Sequence, residues 1–192
     1  MTDRVTPELL SALCHELRGP LGALGNWVHV LGVPNLDPAV RARALSGLTE
    51  DVRAMSGVID QLSALAAALS GPKADITIDA GSFLRGLVEE KAKESGHQTR
   101  LRVSEPSLRV LGDPARLREM LGLFLGPTHP ADEVAVTGDA GRVVIAITLS
   151  DLQPRSLSIA LARVMAEHQA GDLVAVVAPK HTLLRFRLRR AP

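Results

Sequence analysis

Residues 12–24 read ALCHELRGPLGAL. Around this stretch Leu10, Leu13, Leu17, Leu21, Leu24, Val28 and Leu31 recur at intervals of three and four, which predicts an amphipathic helix from Thr6 to about Leu31. Each helical residue turns about 100°, so His15 falls about 200° from both Leu13 and Leu17 and points away from the apolar stripe. Arg18 and Gly19 share its face. Glycine leaves room above the imidazole. Pro20 has no N–H and clashes with the carbonyl of Glu16, so a bend beside His15 is expected.

Working outward, GVPNLDP at 32–38 supplies Gly32, Pro34 and Asn35 as breakers, and Asp37-Pro38 reads as an N-cap followed by proline at the first helical position. In the helix that follows, Leu45, Leu48, Val52, Met55, Ile59, Leu62, Ala66 and Leu69 alternate spacings of three and four, the pattern of a bundle seam. Ser70-Gly71-Pro72 ends it. Two long helices joined by a short turn form an antiparallel hairpin that cannot cover both of its apolar faces alone, so a homodimeric four-helix bundle is expected. Packing of the hairpin on its own chain is the other solution. Residues 1–71 are read as one domain and 72–192 as a second.

After Pro72 the pattern changes. DITID and TRLRVSE read as strands around a helix at 82–95, and LRVLGD leads into Asp113-Pro114 and the helix ARLREMLGLFL. EVAVTGDAGRVVIAITL predicts two strands about the turn 138–141, followed by a helix at 157–168 and the strands DLVAVVA and TLLRFRLR. The class is α+β, with helices on one mixed sheet.

Composition narrows the partners. With 46% apolar residues the 192-residue chain can build a packed core. The 22 Lys and Arg nearly cancel the 21 Asp and Glu, so no basic field points to nucleic acid or to an anionic membrane. Aromatic residues make up 2% of the chain, too few for base-stacking platforms. The single cysteine, Cys14, excludes an internal disulfide framework and fits a reducing compartment. MTDRVTPELL has no leader pattern, and no stretch reaches the roughly 18 to 20 apolar residues of a membrane span. A cytoplasmic protein is expected.

A neutral imidazole has a nitrogen lone pair, and a neighbouring carboxylate can orient the ring or take its proton. His15 and Glu16 thus meet the needs of a phosphoryl-accepting nucleophile, but a solvated histidine without chemical duty has the same helical position. No second ligand besides Glu16 stands at a helical metal spacing from His15. His29, His97, His129, His168 and His181 are scattered.

HELRGPL, on a first helix followed by a heptad-patterned second one, resembles the H-box of sensor histidine kinases, usually His-Glu-Leu-Arg-Thr-Pro-Leu. The resemblance implies a dimerisation and phosphotransfer hairpin with His15 as phosphoacceptor and Glu16 as its acid–base neighbour. It extends further: LGDPARLREMLGLFL resembles the strand and helix that introduce the kinase ATP-binding domain, and residues 157–192 resemble its last helix and strands.

The nucleotide chemistry departs from that family. Its Mg²⁺-holding asparagine falls on Pro127, which has no ligating side chain, and no asparagine follows Asn35. The glycine-rich adenine and phosphate boxes have no counterpart, because residues 142–170 contain no glycine, and the segment around Asp151, Leu152, Gln153 and Pro154 is too short for the usual ATP lid. The combination resembles histidine phosphotransferases built like a kinase core with a degenerate ATPase-like α/β sandwich, the ChpT type. That resemblance implies a relay: His15 takes a phosphoryl group from the aspartate of one response-regulator receiver domain, in a hybrid histidine kinase for example, and passes it to another. It implies no bound nucleotide or metal, the Mg²⁺ being supplied by the receiver. Arg18, Gly19, Leu21 and Ala23 are expected receiver contacts. Many family members carry threonine or asparagine at the position of Gly19 to position a dephosphorylating water, so weak phosphatase activity is expected unless Gly19 is a common H-box variant.

Three readings stand at this point. The chain is a phosphotransferase, a pseudokinase scaffold that docks receivers or a kinase without being phosphorylated, or an ATP-dependent kinase with an unusual pocket.

Overall fold

The structure, a computed structural model, describes residues 6–70, 74–126, 129–139, 141–150 and 156–192. Local capping chemistry starts its first two helices. Thr6 is extended and its hydroxyl accepts the Leu9 N–H at 3.2 Å, opening α1 (Pro7–Leu31) with proline in its first turn. Asp37 Oδ1 accepts from the amides of Ala39 and Val40 at 2.8 and 3.3 Å and opens α2 (Pro38–Ser70). α1 runs unbroken through Pro20, which leaves the Glu16 carbonyl without its usual helical donor.

The chain divides into two compact units, Met1–Ala64 and Leu65–Pro192. The boundary read from the sequence, between residues 71 and 72, lies outside the described residues. In the first unit Trp27 fixes the register of the hairpin. Its indole Nε1 donates to Asp51 Oδ2 at 2.9 Å while the ring lies over Gly47, where an added Cβ would come within 2.5 to 2.7 Å of it. The heptad splits in two: Leu48, Met55 and Leu62 are half-buried, whereas Leu45, Val52 and Ile59 are 52%, 52% and 58% exposed.

The second unit is a layer of helices on a mixed sheet. Asp79, the last residue of β1 (Ile76–Asp79), caps α3 (Ala80–Ser95), which Gly96 ends in the left-handed region at φ 71°. β2 (Arg100–Val103) and β3 (Arg109–Gly112) lead to α4 (Pro114–Gly122). The hairpin β4 (Glu133–Asp139) and β5 (Arg142–Leu149) precedes α5 (Leu157–His168), β6 (Asp172–Ala178) and β7 (His181–Arg189). The strand order is β2-β4-β5-β7-β6, with β2 parallel to β4 and the remaining pairs antiparallel. One face of this sheet is buried through alternate residues such as Val134, Val136, Ile145, Ile147, Leu184 and Phe186.

Three details differ from the sequence reading. Among the described residues the strands form two sheets, since β1 pairs with β3 alone, Ile76 opposite Gly112, and an isolated bridge from Val110 to Arg190 ties this ribbon to the end of β7. The helix expected over 115–125 ends at Gly122: the amides of Phe124 and Leu125 turn back to Leu121 and Gly122, and both side chains are buried, Phe124 against Phe186 with ring centroids 6.0 Å apart. Gly138 and Asp139 are strand residues, paired with Val143 and Arg142, rather than part of the turn, and Gly141 before β5 stands at φ 82°. Among the described residues no helix is long and apolar enough to cross a membrane.

Candidate functional site

His15 is exposed on α1, and Arg18 and Gly19 are exposed beside it. By helical position Gly22 and Asn26 continue this face within about 20° of His15. An added Cβ at Gly19 or Gly22 would meet nothing within 4 Å, so the approach to the imidazole along the helix is open. Glu16 is half-buried, one residue round the helix. Of the other two expected contacts, Ala23 is half-buried about 80° from His15, and Leu21 is exposed about 240° round from it.

The exposed apolar residues of α1 keep to a separate face. Leu10, Leu21 and Val28, 51%, 52% and 63% exposed, cluster about 220–240° from His15. The buried Leu9 and Ala12 and the half-buried Leu13, Leu17, Leu24 and Leu31 lie at about 60–200°, so α1 presents three sectors: a packed one, an open apolar one, and the sector carrying the histidine.

In the second unit, Gly112-Asp113-Pro114 forms a clamp. Asp113 is 7% exposed and accepts from Ala74 N at 3.0 Å, Ala115 N at 2.9 Å and Arg116 N at 3.2 Å, with Arg116 Nε 3.8 Å away. Burial pushes this carboxyl up, but the three amides and the Arg116 guanidinium outweigh burial and hold it below the usual carboxylate range. At the exposed cap Asp79, the backbone and side chain of Ser82 lower the carboxyl, with smaller help from Arg109 and Arg85. The Asp113 N–H donates to Oε1 of Gln169, itself 1% exposed. A Cβ on Gly112 would lie 2.9 Å from that oxygen, so any larger residue there must push the Gln169 carboxamide aside. The Gln169 Nε2 is buried and has no partner among the described residues. Sequence reasoning missed Gln169 altogether, because a glutamine at a helix end carries no sign that it is buried.

The N-terminus of α5 is capped by Ser156. Ser156 Oγ accepts the Ile159 N–H at 3.4 Å, Ser156 is buried, and so are residues 157–162. Residues 150–156 connect β5 to this helix, and Pro127 and residues 151–155, singled out in the sequence, lie outside the described residues. Among the described residues, no three His, Cys, Asp or Glu side chains gather as a metal-binding group.

No family model matches the chain. Solved structures do. The chain is similar to the histidine kinase ThkA in complex with the response regulator protein TrrA, at 14% identity over 97% of this chain and 62% of that one, with a TM-score of 0.63. It is similar to the Acinetobacter baumannii histidine kinase AdeS at 12% identity over 93% and 98% of the two chains, TM-score 0.58. It is also similar to full-length ShkA in complex with AMPPNP, at 23% identity over 97% of this chain and 46% of that one, TM-score 0.53. These likenesses establish a histidine-kinase-like fold, a helical hairpin followed by an ATPase-like α/β sandwich.

Proposed function

We propose that this chain is a histidine phosphotransferase of a two-component relay, built as a homodimer and working without ATP. The observation that carries the reading is the exposure of His15 within HELRGP, on the first helix of a histidine-kinase-like hairpin, with open space over Gly19 and Gly22. A scaffold has no chemical use for that pair of side chains.

The α5 N-terminus supports transfer without nucleotide. Helix N-termini bind phosphate through free N–H groups and a backbone that can be approached closely. Here Ser156 takes one of those donors and the first turns of the helix are buried, which speaks against a triphosphate seated at this end. The open stripes Leu10, Leu21, Val28 and Leu45, Val52, Ile59 support the dimer, since a second hairpin laid on them completes a four-helix bundle.

In the step proposed, a receiver domain brings an aspartyl phosphate over the His15 face. A lone-pair nitrogen of His15 attacks phosphorus in line; the N–P bond forms as the bond to the carboxylate oxygen breaks, and the electron pair leaves with the receiver carboxylate. Mg²⁺ held by the receiver neutralises charge on the phosphoryl oxygens. Glu16 orients the ring and takes up the proton that the phosphorylated imidazole sheds. The reverse step, on the aspartate of a second receiver, completes the relay. Arg18 lies where it can meet phosphoryl or receiver charge.

The test is to incubate the chain and His15→Ala separately with ³²P-labelled ATP and with a ³²P-phosphorylated receiver. Label from the receiver, absent in His15→Ala and absent from ATP, is expected. Labelling by ATP overturns the nucleotide-free reading, and labelling by neither leaves a scaffold.

A further inference from the structure

The second unit carries a groove of about 750 Å³ between α3 and β2 that the proposed relay does not use. Its floor is apolar, built from Val88, Ala92, Leu101 and Val103, and one wall is the row Arg85, Glu89, Lys93 along α3. β2 ends the sheet, and among the described residues no strand pairs with its outer side. The amides of Arg100 and Ser104 turn inward to the carbonyls of Asp132 and Val136, at 3.1 and 2.9 Å. Parallel pairing alternates, so the N–H and C=O groups of Leu101 and Val103 face outward, beside the groove. Arg100 and Arg102 do not guard this edge. They lie within 3.9 and 3.5 Å of Glu133, on the neighbouring strand β4.

We infer that the groove docks an extended peptide segment of another protein, which adds to β2 as a further strand. The spacing of the wall specifies its chemistry. Arg85, Glu89 and Lys93 are four residues apart on a helix, about 6 Å per step. Alternate residues of a strand, which point to the same side, are about 6.6 Å apart. A strand lying along α3 therefore sets residues i, i+2 and i+4 opposite Arg85, Glu89 and Lys93 in either direction, because the pattern is symmetric. The segment recognised is acidic at i and i+4 and basic at i+2. The backbone of β2 supplies affinity and the charged row supplies selectivity.

The probe is a fluorescein-labelled peptide, Thr-Glu-Val-Lys-Val-Glu-Thr, titrated against the full chain by fluorescence anisotropy. Saturable binding is expected, at least about tenfold tighter than for the charge-swapped Thr-Lys-Val-Glu-Val-Lys-Thr. The variant Arg85→Glu/Glu89→Lys/Lys93→Glu should reverse that preference. In the unaltered chain, peptide saturation should slow amide exchange at Leu101 and Val103 while leaving Arg102, already bonded within the sheet, unchanged; this readout does not depend on the variant folding. Absence of binding up to about 1 mM peptide overturns the inference. Equal binding of the two peptides, or unprotected Leu101 and Val103 amides at saturation, overturns it as well.

Discussion

Replacing Gly47 by alanine tests how the hairpin is held together. The new methyl would stand 2.5, 2.6 and 2.7 Å from Cε2, Cζ2 and Nε1 of Trp27, whereas carbon atoms in favourable contact sit at about 3.5–4.0 Å. The indole or the helix must therefore retreat by about 1 Å. The ring is not free to do so, because Nε1 is committed to Asp51 Oδ2 at 2.9 Å. Overpacking costs about 1–3 kcal/mol and a lost hydrogen bond to a carboxylate about 1.5–3 kcal/mol. The better helix propensity of alanine returns about 1 kcal/mol. Gly47→Ala should be less stable by about 1.5–5 kcal/mol in urea unfolding. Trp27 is the only tryptophan, so its emission reports the same event directly, with a shift as the indole leaves its site. The internal control is Gly57→Ala on the same helix, where an added Cβ meets nothing within 4 Å; it should stabilise by about 0.5–1 kcal/mol. In a Trp27→Ala background, followed by circular dichroism, Gly47→Ala should change from destabilising to stabilising. A Gly47→Ala protein as stable as Gly57→Ala, with unshifted emission, would refute the account of the hairpin register.

Four further outcomes are expected. Asp113 keeps its charge to a lower pH in the folded chain than in the unfolded one, so its contribution is complete above its unfolded value of 3.8 and is lost as pH falls through the lower folded value; Asp113→Asn should cost about 1–2 kcal/mol at pH 7 and progressively less in urea titrations toward pH 3. Ala170 sits at φ 54° where α5 closes with Gly171 N–H to Ala166 O at 2.9 Å, so Ala170→Gly should raise stability by about 0.5–1 kcal/mol in the same assay. Glu16→Gln should still be phosphorylated on His15 but about 10–100-fold more slowly in a rapid-quench experiment with phosphorylated receiver. Because Gly19 has open space above it, Gly19→Asn should fold normally and gain the ability to release inorganic phosphate from the receiver, measured by phosphate-binding fluorescence.

The parts legible in the sequence were those fixed by neighbours in the chain. Asp37-Pro38 and Asp113-Pro114 each open a helix where the capping side chain and proline say it should, because an N-cap bonds to amides only two or three residues away. The exposure of His15 followed from the stripe of leucines around it. What could not be read depends on residues distant in sequence. The apolar run through Leu125 looks helical, yet Phe124 takes its place from Phe186 on the last strand. The separation of β1 and β3 from the main sheet rests on pairing across more than thirty residues, and Gln169 meets Asp113 across fifty-six. The Trp27–Gly47 contact joins two ordinary helical positions, and nothing local marks it.

The three sectors of α1 bear on how a dimer could remain a relay. A second hairpin laid on Leu10, Leu21 and Val28 covers residues about 120–140° from His15 the short way round, so dimerisation through that face leaves the histidine uncovered. The small residues Gly19 and Gly22 continue the histidine sector, and the open apolar stripe does not enter it. The same logic separates the roles of the two units. In the second, Gln169 Oε1 accepts the Asp113 amide at the Gly112-Asp113 corner and Ser156 Oγ accepts the Ile159 amide at the start of α5, beside leucine and isoleucine side chains that are buried in the core. In the relay we propose, phosphoryl chemistry falls to the sector of α1 that carries His15, apart from the packed residues of the hairpin and from the open apolar stripe. Under that proposal a receiver would meet Arg18 and Gly19 on the histidine sector, whereas Leu21, expected from the sequence as a receiver contact, stands on the open apolar side where a second hairpin would lie. Leu21→Glu should therefore shift the chain toward monomer in sedimentation velocity, and Gly19→Trp should block labelling by the receiver while leaving the dimer intact. Loss of the dimer in Gly19→Trp, or unchanged mass in Leu21→Glu, would contradict this assignment of faces.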